Sequence, residues 1–159
     1  YTEGEAPDAS EVATRVDSYW RPYHDALITE LDRIVREHGR AVLWEAHTIR
    51  GVVPLFFDGT LPDLNLGTSG GASCSAQLQQ RLEHVLAAQR DYTFVANGRF
   101  KGGYITRHYA APARGIDAVQ LELAQRTYMD EATFAYDLDA AARLQPVLRR
   151  LLEVAIGPS

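Results

Sequence analysis

Apolar residues recur at helical intervals along the N-terminal stretch, at Val12, Val16, Tyr19, Tyr23, Leu27, Leu31 and Ile34, and the run closes at Gly39. Spacing of three to four residues gathers them on one face of a helix. Asp8 and Glu11 stand at capping-box spacing and predict where that helix begins. Pro22 lies inside the run without a backbone N–H, so it predicts a kink or a break near Trp20 and one helix that is really two. The apolar run at 41–47 predicts a short buried strand. PLFFDGTLPDLNLGTSGGASCS, residues 54–75, is dense in Gly, Pro, Asp and Ser and predicts a long ordered loop of the kind that often carries function. Residues 74–90 follow as a helix with Leu78, Leu82, Val85 and Leu86 on one face. Residues 92–96 read as a strand entering NGRFKGGYITRHY, 118–123 as another apolar strand, and 137–156 as a closing helix. Strands separated by helices predict α/β layers around a largely parallel or mixed sheet, with 1–159 as one domain.

The length of 159 residues is enough to bury one proper core. A formal net charge of −5 disfavours general nucleic-acid binding, and the longest apolar stretches fall short of a bilayer span. Neither nucleic acid nor membrane is an expected partner. The single cysteine, Cys74, excludes an intrachain disulfide and fits a reducing cytoplasm. Nothing near it favours a thiolate, so it reads as a small residue at a helix start. The N-terminus YTEGEAPDASE is acidic and polar, lacks the basic-then-apolar layout of a secretory signal and lacks an initiator Met, as a processed product or a piece of a longer protein would.

Chemistry enters where WEAHTIRG breaks the apolar run with Glu45, His47 and Arg50. On an extended strand Glu45 and His47 share a face, at the carboxyl end of a strand where open α/β folds place ligands. Taken alone, His47 reads either as a hydrogen-bonded structural histidine or as a metal ligand, and no complete zinc site can be spelled from the other histidines and the one cysteine. In NGRFKGGYITRHY, Arg99, Lys101 and Arg107 surround Gly98, Gly102 and Gly103. A guanidinium fork suits a carboxylate, so the segment is either a clamp for an acidic small molecule or an edge hairpin with solvated cations. Read as a strand, it places Arg107 with Ile105 and Tyr109, away from Tyr104, Thr106 and His108. Glu122 interrupts the apolar strand at 118–123 and shares a face with Gln120. A carboxylate there is hydrogen-bonded, metal-linked, catalytic or paired with a cation such as Arg126.

YWRPYHDAL (19–27), LWEAHTI (43–49), FDGTLPDLNLGT (57–68), NGRFKGGYITRHY (97–109) and AVQLELAQRTYMDE (118–131) stand in order and together cover nearly the whole chain. In these segments the chain closely resembles the C-terminal part of the N-formylglutamate amidohydrolases. The resemblance implies a mixed sheet flanked by helices, like that of zinc carboxypeptidases and aspartoacylase, here without its N-terminal part. It implies metal-dependent hydrolysis of N-formyl-L-glutamate to formate and L-glutamate, a step of bacterial histidine degradation, by a cytoplasmic enzyme acting on a small acidic N-acyl amino acid. His47 matches a zinc ligand and Glu122 the catalytic glutamate. Where the family usually reads Asp-x-His-Ser, this chain has Glu45 and Thr48. The remaining zinc ligands are expected upstream of Tyr1, which makes the isolated chain an inactive half-site. Among the cations, Arg107 is the first choice for a substrate carboxylate, followed by Arg50 and Arg99, with Asn65, Thr68 and Tyr104 as polar contacts. Two other functions fit the same residues: a zinc amidohydrolase for another N-acylated acidic amino acid, and a non-catalytic module that binds an acidic metabolite.

Overall fold

The computed structural model describes residues 1–157, which divide into two compact units, Tyr1–Gly39 and a second that begins at Arg40. In the first, α1 (Ala9–Arg15) starts at Asp8, whose carboxylate accepts the Glu11 N–H at 2.8 Å. A π-helical turn, Val16–Trp20, then leads into α2 (Arg21–His38). The expected break near Trp20 is this turn. It leaves Pro22 in the first turn of α2, where a missing N–H forfeits little. Gly39 stops α2 at φ 76° and donates its N–H to Val35 at 2.8 Å, a left-handed stop that glycine adopts without a Cβ penalty.

The second unit runs β1 (Ala41–Ile49), β2 (Leu64–Gly67), α3 (Ala76–Ala88), β3 (Phe94–Ala96), α4 (Tyr104–Tyr109), β4 (Ile116–Ala124) and α5 (Leu138–Ile156). Its sheet is mixed, in the order β1-β4-β2-β3. β1 runs parallel to β4, β2 parallel to β3, and β4 antiparallel to β2. Three sequence expectations change. β1 pairs only with β4 and is half-exposed over much of its length, so it is a sheet edge rather than a buried strand. β2 lies inside the predicted loop, because four residues between turn formers are too few for a period to show, yet all four are buried. The YITRHY segment is the helix α4, and the alternation argument made for Arg107 does not apply.

The two faces of the sheet divide the labour. Leu64 and Leu66 of β2 with Val119, Leu121 and Leu123 of β4 form one face, packed with Leu78, Leu82 and Leu86 of α3 and Leu144, Leu151 and Ala155 of α5. Burying one such side chain is worth about 1.5–3 kcal/mol, so this face carries the stability. The residues between them, Asn65, Gly67, Gln120 and Glu122, point the other way by strand alternation. Among the described residues, no helix is long and apolar enough to cross a membrane.

Candidate active site

Register assembles the polar face. His47 on β1 lies opposite Glu122 on β4, which lies opposite Asn65 on β2. One step along, Glu45 lies opposite Gln120, which lies opposite Gly67. Paired residues project to the same side of a sheet, so the two rows form one patch. Glu122 is only 6 % exposed. Burial pushes its carboxyl above the usual carboxylate range, the neighbouring His47 pulls it back, and the charge of Glu45 pushes it up again. Its side-chain neighbour is the Gln120 amide, with Nε2 at 3.4 Å from Glu122 Oε2. The Arg126 guanidinium is used elsewhere, on Asp63 at 2.7 Å and the Leu61 carbonyl at 2.6 Å. That disposes of the ion-pair reading of Glu122.

Glu45 is the other carboxylate of the patch. Its Oε1 lies 3.1 Å from His47 Nε2, while Oε2 accepts the Thr106 N–H at 3.0 Å and the Thr106 hydroxyl as well. Gln120 is aimed by α4's entry, where the Gly103 N–H donates to its Oε1 at 2.7 Å and so turns its N–H toward Glu122. This geometry needs the 97–103 loop to sit against β2. A Cβ on Gly67 would meet the backbone of Lys101 at 2.7 Å and of Gly102 at 2.8 Å, so only glycine permits the approach. Gly102 itself turns the chain at φ 121°. Asn97 staples the two loops together: its carbonyl accepts the N–H groups of Thr68 (2.8 Å) and Gly70 (3.0 Å), and its amide donates to the Thr68 hydroxyl (2.8 Å).

The remaining sequence candidates divide by location. Thr68 is fully buried, its hydroxyl engaged with Asn97, Gln79 and the Gly71 N–H. Asn65 donates to the carbonyls of Pro62 (2.8 Å) and Glu122 (3.1 Å), and its buried Oδ1 has no partner. Arg107 is exposed on α4 and donates to the Gly102 carbonyl. Arg50 follows β1 and is exposed, its guanidinium 6.0 Å from the Phe134 ring centroid. Arg99 is exposed in the glycine loop, and Tyr104 stacks on His108 at 4.7 Å. The structure thus brings His47, Glu122 and Asn65 together and leaves the arginines outside the patch's hydrogen-bond network. Sequence reasoning did not select Glu45, Gln120 or Thr106 as site residues. For the first two the signal was present, since each shares a strand face with a residue that was chosen; for Thr106 the misread helix hid it.

Among the described residues, no three His, Cys, Asp or Glu side chains converge so as to hold a metal ion. The patch fits zinc only as the supplier of one ligand. His47 has a half-exposed ring with one nitrogen against a carboxylate, the usual setting of a ligating imidazole.

Comparison with known proteins places the chain in a family. A family model for N-formylglutamate amidohydrolase matches residues 1–129. The N-formylglutamate deformylase of Pseudomonas aeruginosa is 55 % identical over 154 residues, covering 96 % of this chain and 58 % of the relative. That of Pseudomonas putida is 52 % identical over 158 residues, covering 99 % and 59 %. The chain therefore spans less than two thirds of the length of these relatives. In fold it is similar to the crystal structure of N-formylglutamate amidohydrolase from Ralstonia eutropha, with TM-score 0.76, 24 % identity, and coverage of 92 % of this chain and 53 % of that one. An Agrobacterium tumefaciens gene product gives TM-score 0.62 at 15 % identity, covering 94 % of this chain and 57 % of that one. With the matched model spanning all three strands of the polar patch, the chain belongs to the N-formylglutamate amidohydrolase family.

Proposed function

We propose that the protein carrying this chain hydrolyses N-formyl-L-glutamate to formate and L-glutamate. The observation that bears most weight is Glu122, a buried carboxyl with a raised pKa and no guanidinium partner, in register beside His47. Such a group holds a proton more readily than a solvated carboxylate does, which suits it to accept one and give it up again. In this reading Glu122 takes a proton from the attacking water as the new C–O bond forms. It returns that proton to the amine nitrogen as the formyl C–N bond breaks, so the sum is one water consumed per formamide cleaved. Gln120 keeps the carboxylate aimed. His47 would serve as one ligand of a zinc ion, whose remaining ligands do not converge among the described residues. When bound, that ion supplies Lewis-acid activation of water and carbonyl. The exposed cations Arg107, Arg50 and Arg99 are the groups available to meet the two substrate carboxylates, with Asn65, Thr68 and Tyr104 as polar contacts. Residues 1–159 by themselves are not expected to turn over substrate. The setting is bacterial histidine breakdown in the cytoplasm.

Formate release from N-formyl-L-glutamate tests the reading, with N-acetyl-L-glutamate as competitor substrate and Glu122→Gln as control. The expected result is formate release that falls by about 10²-fold or more in the variant, the scale for losing a general base. Equal kcat/KM for both substrates would move the function to another N-acylated acidic amino acid. Zinc-loaded protein without any hydrolysis would leave only a metabolite-binding module.

A further inference from the structure

We propose that Glu45 is a positioning residue that fixes the His47 ring with its proton on Nε2 and Nδ1 free to bind metal, and that Thr106 on α4 holds Glu45 in place to do so. The inference rests on the reading of His47 as a ligand. An ionised carboxylate only accepts hydrogen bonds, so the 3.1 Å contact of Glu45 Oε1 with His47 Nε2 requires the proton on Nε2. A neutral ring so bonded keeps its one lone pair on Nδ1, and its plane is set by the bond.

A contact that merely joins α4 to the sheet would look different. The Thr106 N–H and hydroxyl already tie Oε2 to α4, which would suffice for such a link. The second oxygen is committed to an imidazole that is 47 % exposed and could be satisfied by water. The carboxylate, by contrast, is 13 % exposed, so it is the desolvated and rigid partner of the two. Thr106 is fully buried in the first turn of α4, its methyl against Gly102, where an added Cβ would meet it at 2.9 Å. Direction therefore passes from a rigid threonine to a rigid carboxylate to a ring that would otherwise turn freely.

The test uses the metal-free, ¹⁵N-labelled chain at about pH 8.5, where a free imidazole is neutral. Long-range ¹H–¹⁵N spectra of His47 should show protonated Nε2, unprotonated Nδ1 and an Hε2 signal slow enough in exchange to be seen. In Glu45→Leu that signal should disappear into exchange with water while the methyl signals of Leu64, Val119 and Leu121 stay put. Thr106→Val preserves shape and the backbone N–H but removes the hydroxyl, and should broaden Hε2. If Glu45→Leu does not fold, Thr106→Val decides. An Nδ1–H ring in the unsubstituted chain, or an Hε2 signal unaltered by the substitution in a folded variant, overturns the proposal. No substrate is involved, so a failure here is separate from a failure of the deformylase reading.

Discussion

Glu45 and Glu122 are both nearly out of water, yet their neighbours differ. Glu45 accepts hydrogen bonds on both oxygens, whereas Glu122 has one long amide contact, which leaves it the freer of the two to exchange a proton. Cys74 illustrates the opposite use of burial. Desolvation, with Asp117 adding to it, pushes its thiol from 9.0 up to about 11. Folding thus favours the protonated thiol, a contribution intact below about pH 9 and lost as pH rises through about 11. The urea midpoint of the chain should fall more steeply across that window than the midpoint of Cys74→Ala, and equal slopes would refute the assignment. At Arg107 a single exposed bond to Gly102 is at stake, so Arg107→Lys should change stability by less than about 0.5 kcal/mol. In the full enzyme the same change should raise KM for N-formylglutamate, since lysine keeps the charge and loses the fork. An equal effect on a formylated amino acid with an uncharged side chain would assign Arg107 to the shared α-carboxylate.

Elements separate what the sequence could and could not tell. The caps at Asp8 and Gly39, the helical stripes of α3 and α5, and the apolar run of β4 were legible because each rests on local periodicity or local backbone chemistry. β2 and α4 were not. β2 owes its strand to two neighbours far along the chain, β3 and β4, and α4 begins after a glycine turn whose conformation is set by contact with Gly67. From local sequence His47 and Glu122 were two interruptions of apolar strands, and the family resemblance gave them the roles of ligand and base. That they face each other is a fact of register. Gly67→Ala tests the glycine contact: its Cβ would strike backbone, not a side chain that can swing away, so a loss of about 1–3 kcal/mol in stability is expected from urea unfolding. The same variant should loosen the Gly103–Gln120 bond, visible as faster exchange of the Gly103 amide. No change in either readout would mean the loop can move aside at no cost.

At the scale of the whole molecule, no three potential metal ligands converge among the described residues. The polypeptide 1–159 should therefore bind zinc more weakly than micromolar by competition with a chelating dye, because a stable site takes three or four protein ligands. Tight, stoichiometric zinc would show that the donors converge differently. The alternation of β4 has a last consequence, for the lengths of chain that evolution and engineering can accept. Leu121 and Leu123 feed the core while Gln120 and Glu122 feed the chemistry, with one residue separating the two duties. A one-residue insertion or deletion inside β4 would carry leucines onto the polar patch and a glutamate into the leucine cluster at one stroke. Point substitutions damage one duty at a time, so in a scan of single-residue deletions β4 should be the least forgiving segment, and indels compatible with folding should concentrate in the turns on either side of it.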